Sequence, residues 1–279
     1  IYLAGDPALK PKKPVDLGYL DFRSLAARRA ACHAEVELNA PLAPGVYLGV
    51  MALIADSAAP LGVRAIPEAT ALATAQPEGA AAMPRVLNYA VRMRRLPADG
   101  MLSQILASRE LSEREIEALA SALVRFHYRA PSPPDAASAG ATAVEREVLG
   151  NASQVRDAAH ALAPPSLLAH VSGWLEREVA ARAKSIDHRV QRGRVRDGHG
   201  DLHAGNVCFD PAAASAANPT GLIIYDRLEF RRDFRLRDTA AEVASLCASI
   251  ESFGRWRSAQ RFTSQYILKA NDGALLLLH

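Results

Sequence analysis

Disulfide spacing, membrane spans and a strong charge imbalance are all missing from this chain. Its 279 residues include three cysteines, at 32, 208 and 247, with no framework spacing between them. They read as reduced thiols, which gives the expectation of a cytoplasmic protein. No run reaches the ~18 uninterrupted apolar residues that a bilayer crossing needs, so no membrane partner is expected. Lys and Arg total 33 against 30 Asp and Glu, a net charge of +3. That balance gives no reason to expect a nucleic acid, even with an isoelectric point near 8.8. A G-x4-G-K-(S/T) run is absent as well, which excludes a P-loop within these residues. The remaining composition, 49% hydrophobic and 23% charged, is that of an ordinary globular chain with length for one large or two modest domains.

The chemistry concentrates in one run, His199-Gly200-Asp201-Leu202-His203-Ala204-Gly205-Asn206, and in the apolar run Leu222-Ile223-Ile224-Tyr225 that closes on Asp226. Asn206-Val207-Cys208-Phe209 and Leu222 to Tyr225, joined by the loop from Asp210 to Gly221, predict a hairpin that returns Asp226 to the Asn206 side of a cleft. Phosphoryl transfer asks a protein mainly for positioning and for cancellation of charge on phosphate oxygens. An Asp that takes the acceptor hydroxyl's proton, an Asn a short loop later and a second Asp at the end of a hairpin supply those needs. A carboxylate and an amide carbonyl are the hard oxygen ligands that Mg²⁺ prefers. In this pattern Asp201 is the catalytic acceptor of the proton, and Asn206 and Asp226 are the metal ligands. Gly200 and Gly205 let the backbone bend around them. A second reading takes His199, Asp201 and His203 as ligands of a metal-dependent hydrolase, since on a strand the three would share one face.

The octet HGDLHAGN resembles the Brenner-type motif of the aminoglycoside phosphotransferase and choline kinase group, relatives of the protein kinases. Further pieces resemble a bacterial branch of that group that is often fused to an ATP-binding P-loop domain. They are Lys12 to Phe22 (KKPVDLGYLDF), Glu35 to Asn39 (EVELN), Val46 to Val50 (VYLGV), Tyr89 to Pro97 (YAVRMRRLP), Asp226 to Phe230 (DRLEF) and Asp238 to Glu242 (DTAAE). The resemblance implies an α+β, protein-kinase-like two-lobe fold. Residues 1–95 would be a partial, mixed nucleotide-binding lobe, and residues 96–279 a helical catalytic lobe with an embedded hairpin. It also implies Mg²⁺ and ATP as cofactor and substrate, and a small-molecule acceptor. Lys10 stands where the resemblance places the phosphate-binding Lys, with Glu35 as its ion-pair partner. Lys12 and Lys13 compete with it for that assignment. Val91 to Leu96, with Met93, would form the hinge that meets the adenine ring. Both ends look cut: the resemblance implies a further strand and a phosphate-covering turn before Ile1, helix beyond His279, and room for a P-loop domain.

Local patterns predict the elements. A helix capped by Ser24 runs to about Leu38, with Leu25, Arg28, Arg29, Cys32, Glu35 and Val36 at helical spacing. Ile1 to Ala4, Val46 to Ala55 and Val86 to Met93 read as strands, and Pro67 to Pro84 as a variable surface segment. Ser112 to Glu115 is a capping box that opens a helix carrying Ile116, Leu119, Ala120, Leu123 and Phe126 on one face and ending at His127. A loop at 130–134, helices over 142–161 and 165–190, and a second capping box at Thr239 to Glu242 complete the reading. Arg227 to Phe230 replaces the glycine-containing tripeptide of protein kinases. Glu229 is expected to pair with Arg231, Arg232 or Arg235, the alternative being that it faces the acceptor. Asp238 is read as a helix cap or as a support for the loop carrying His199, itself a structural residue. Two function classes stand beside the phosphotransferase: a nucleotide-sensing module regulating a fused domain, and the hydrolase.

Overall fold

A computed structural model describes residues 1–3, 5–59, 61–73, 85–133, 140–159 and 163–278. The N-terminal part is built on a five-stranded antiparallel sheet. Its strands are β1 (Tyr2–Leu3), β2 (Pro7–Pro11), β3 (Tyr47–Ala55), β4 (Val63–Pro67) and β5 (Val86–Arg94), in the order β1-β2-β5-β3-β4. A consecutive buried run, Tyr89-Ala90-Val91, marks β5 as its centre: Ala90 and Val91 are fully buried, paired with Met51 and Val50 on one side and with Pro11 and Lys10 on the other. Pro11, which has no N–H to give, stands at the last position of β2, opposite Ala90 of β5 and beyond the reach of β1.

Helix α1 (Leu25–Asn39) lies against β3 and β5, and the Ser24 hydroxyl caps it by accepting from Ala27 N. Its buried stripe is Arg28, Cys32, Glu35 and Asn39. Three of these four side chains are polar, and burying them is costly unless each finds partners. A short helix α2 (Glu68–Ala73) occupies the start of the segment expected to be variable; positions 74–84 lie outside the described residues.

The remainder is helical: α3 (Leu102–Ser108), α4 (Glu113–Arg129), α5 (Ala141–Ala159), α6 (Pro165–Gln191), α7 (Thr239–Glu251) and α8 (Trp256–Ala270). The capping box at Ser112 forms with both of its bonds. His127 lies within α4, two residues before its end, and is buried rather than terminal. The expected capping box at Thr239 does not form. Asp238 caps α7 by accepting from Ala240 N, one residue earlier than the pattern implied, which frees Glu242 for another task. Residues 134, 160 and 161 of the expected loop and helix, with Ala4 of the expected first strand, lie outside the described residues. Among the described residues no helix is long and apolar enough to cross a membrane.

Two short antiparallel pairs are set into the helices: β6 (Val195–Asp197) with β9 (Leu236–Asp238), and β7 (Val207–Phe209) with β8 (Leu222–Ile224). The β7–β8 pair is the expected hairpin, and its two faces join different cores. Val207, Phe209, Leu222 and Ile224 pack with Leu119, Leu123, Val243 and Phe262 in the helical core. Cys208 and Ile223 turn the other way into the core under the sheet. Ile223, 1% exposed, contributes roughly 1.5–3 kcal/mol by that burial. The hairpin is thereby clamped at the junction between sheet and helices, and Asn206 and Asp226 flank its open end. An antiparallel sheet followed by helices with such a hairpin is a protein-kinase-like α+β fold.

Candidate active site

Strand β6 delivers the chain into a tight turn at Gly198, His199 and Gly200. Gly200 adopts φ +86°, and a side chain there would press on Arg235 and Leu228. Its N–H donates to Glu242 Oε1 at 2.8 Å. A methyl group on Gly198 would stand only 2.4 Å from the same carboxylate oxygen. Gly205, by contrast, is required by a close approach to the His203 ring and not by a turn.

His199 is wholly buried. Its Nδ1 accepts from Asp201 N at 3.3 Å, which leaves the proton on Nε2 to donate to Tyr225 O at 2.9 Å. It therefore ties the base of the Asp201 loop to the residue before Asp226. Asn206 donates its amide to Asp201 O at 2.9 Å, and its carbonyl oxygen is the atom through which it could hold a cation. Asp226 sits at φ +64°, an uncommon region for a residue with a side chain and a sign of local strain at a working site. Its N–H donates to the Tyr47 hydroxyl at 3.0 Å. Asp201, with a side chain 60% exposed, and Asp226 open on one cleft of about 270 Å³.

An alternating chain of charge crosses this cleft. Lys10 Nζ lies 2.9 Å from Glu35 Oε1 and 2.5 Å from Asp226 Oδ1. Lys12 Nζ lies 2.5 Å from Glu35 Oε2 and 2.5 Å from Glu229 Oε1. Burial would lower both ammonium pKa values, but Glu35 with Asp226, and Glu35 with Glu229, outweigh it and raise them. Of the three competing lysines, Lys10 and Lys12 share the cleft and Lys13 is exposed. Glu229 does form an ion pair, but with Lys12. Arg231 takes Asp233 instead, while Arg232 and Arg235 go to Asp197.

A family model described as a phosphotransferase enzyme family matches residues 27–223. The chain belongs to this phosphotransferase family. It is also similar to the uncharacterized protein Rv2004c of Mycobacterium tuberculosis and the uncharacterized protein Mb2027c of Mycobacterium bovis. Each is 28% identical over 278 residues, covering 98% of this chain and 48% of the relative. The chain thus spans about half the length of the curated relatives it matches. The family match takes in Glu35, Asp201 and Asn206 and stops three residues short of Asp226.

Around this cleft Asp238 takes its reading as a helix cap and not that as a loop support, and Met93 lies apart from the lining residues. Asp238 does not contact the His199 loop through its side chain. Its carboxylate caps α7 and takes both ends of the Arg189 guanidinium, at 2.7 and 2.8 Å. The side chain that braces the loop is Glu242, whose Oε2 meets His127 Nε2 at 2.7 Å, with Tyr266 on the far ring nitrogen at 2.7 Å. Burial would raise the Glu242 pKa, but bonds from His127 and Gly200 N lower it. Met93 is buried in β5 opposite Ala8 and Tyr47, and is not among the residues lining the cleft. Two supports carried no local signal at all. Asp197 binds Arg227 and Arg235, each at 2.7 Å, from 30 and 38 residues away. Asn39 takes Arg227 N at 2.7 Å and gives to Glu35 O at 2.9 Å, joining α1 to the residue after Asp226.

Both ring nitrogens of His199 are used within the loop, so it has none to offer a metal, and the hydrolase ligand set cannot assemble. Among the described residues no group of three or more His, Cys, Asp or Glu side chains could hold a metal ion. His203 has Nε2 3.8 Å from Asp201 Oδ2 while Nδ1 accepts from Gly205 N. His203→Ala should retain most Mg²⁺-dependent ATP binding, and purified protein should carry no stoichiometric transition metal. Elemental analysis checks this, and one zinc per chain lost with His203 would restore the hydrolase.

His199 also sets a pH dependence. Burial lowers its pKa below the ordinary 6.5, although Glu242 and the nearby aspartates oppose the shift. Below that value the unfolded chain binds a proton that the folded loop refuses. The stability from this residue is thus present above about pH 6.5 and lost as pH falls through that region. Thermal melts should show a midpoint that declines on acidification, and a shallower decline in His199→Gln. Equal slopes would show that the ring is not held neutral.

Proposed function

We propose that this protein is an ATP-dependent phosphotransferase that moves the γ-phosphate of Mg-ATP to a hydroxyl of a small molecule. The observation that carries the reading is the single cleft onto which Asp201 and Asp226 open, with Lys10 between Glu35 and Asp226. In this reading Asp201 accepts and orients the acceptor hydroxyl, being the most exposed carboxylate of the set and free of any lysine. Asn206 and Asp226 would hold Mg²⁺, and their oxygens suit it. When bound, Mg²⁺ neutralises charge on the phosphate oxygens. Lys10, kept cationic by Glu35, would exchange its contact with Asp226 for phosphate. The Tyr19 ring, 5.8 Å from Phe230, anchors the Lys12–Phe22 loop to the segment after Asp226.

The acceptor is proposed as a sugar, an amino alcohol or another small metabolite. Residues 227–242 hold five Arg against four acids, which is poor ground for a polycationic antibiotic. The relatives' additional length has room for the P-loop domain that the resemblance implies, and a cytoplasmic location accords with the three free thiols. The alternative of a nucleotide-sensing module for such a fused domain predicts binding without turnover. A screen of candidate alcohols with labelled ATP on a full-length protein, with Asp201→Asn as control, decides between them. Label transfer lost in the variant supports the kinase, and binding with no transfer to any acceptor supports the sensor.

A further inference from the structure

The larger of the two described cavities is not the one that holds Asp201. It measures about 650 Å³ and lies between the C-terminal end of α1, the face of α4 and the 217–224 part of the hairpin. One wall is apolar, formed by Leu38, Pro41, Leu42 and Pro44. The other side is cationic: four arginines line the cavity (114, 125, 129 and 227) against two acids, Glu117 and Asp197.

Most of these charges are already matched. Arg227 and Asp197 pair with each other, Glu117 pairs with Lys269, and Arg114 donates to Pro219 O. Arg125 and Arg129 are different. Among the described residues neither guanidinium has a hydrogen bond, an ion pair or a ring contact. They stand four residues apart on one face of α4, where like charges repel and weaken a helix. The C-terminal end of α4 favours cations and offsets part of that repulsion, and an anion between the two guanidinium groups would offset the rest.

We propose that this cavity binds a small organic anion, with its acidic group between Arg125 and Arg129 and its apolar body against the end of α1. The segment after the hairpin separates this cavity from the cleft. Asp226 and Leu228 line the cleft, and Arg227 between them lines the larger cavity. Asn39, at the end of α1, grips the backbone of Arg227 at 2.7 Å and that of Glu35 at 2.9 Å. An occupant would therefore rest against the two elements that carry Glu35 and Asp226.

The probe is 8-anilinonaphthalene-1-sulfonate, an anion with an apolar body, titrated by fluorescence onto the whole folded chain. One saturable site is expected, weakened roughly tenfold in Arg125→Gln/Arg129→Gln and kept in Arg125→Lys/Arg129→Lys. Both arginines are exposed and unpaired, so these changes leave the fold intact. Ser121→Trp, which fills the cavity from α4 and leaves both arginines in place, should abolish binding. Saturating Mg-ATP should not displace the probe. Binding that survives both the double Gln variant and Ser121→Trp, or that Mg-ATP displaces, would overturn the proposal and move the probe to the cleft or to the general surface.

Discussion

Replacing Asp201 with Asn should reduce phosphoryl transfer by at least ~10²-fold, the range for losing a general base, while leaving Mg-ATP affinity nearly unchanged. The split follows from where the side chain stands. Asp201 is 60% exposed, and its nearest ionisable neighbour is the His203 ring at 3.8 Å. No lysine depends on it, so neutralising it disturbs neither the Lys10–Glu35 pair nor the loop, which is held through its backbone by His199 and Asn206. Steady-state kinetics with calorimetry on the same samples makes the test. A fall in ATP affinity equal to the fall in turnover would make Asp201 a binding residue and overturn its assigned role.

Asp226→Ala should act in the opposite way, weakening Mg²⁺-dependent ATP binding by roughly 10- to 100-fold, the worth of one strong contact to a charged group. The substitution removes the proposed metal ligand and one of the two carboxylates that hold Lys10. It also places Ala at φ +64°, where a side chain without a polar tip is strained. Asp226→Asn separates the two effects, since Asn tolerates that backbone and still removes the charge. Both variants should lose the Mg²⁺-dependent part of the binding isotherm. If Asn binds like the wild type, charge at 226 is not what recruits the metal.

The two variants divide the site along a line that also divides how it could be read. The run from His199 to Asn206 and the hairpin to Asp226 were legible because a loop and a two-stranded turn bring their residues together over short chain distances. Helix α1 and its cap at Ser24, the box at Ser112 and strands β3 and β5 were legible for the same reason. Each follows from a period of 3.6 or 2 and a capping side chain within one turn. Glu229 marks where that reading gives out: the nearby arginines were the reasonable partners, but Lys12, 217 residues away, is the actual one.

Composition and local pattern by themselves determined α1, α4, α5, α6, β3, β5 and the β7–β8 hairpin, the acidic centre and the resemblance that implied a kinase-like fold. Tertiary structure alone decided the partners. Glu242 fits a capping box by spacing, yet Asp238 begins α7 one residue earlier, and Glu242, buried beside Gly198, becomes the brace of the Asp201 loop and the partner of His127. Lys10 is one of three nearby lysines in sequence. The register of β2 on β5 turns it toward Glu35 and Asp226, while Lys13 is left in water. The physical reason is common to all of these. A buried charge must find its counter-charge wherever the packing of distant elements puts one, and no local period records where that will be.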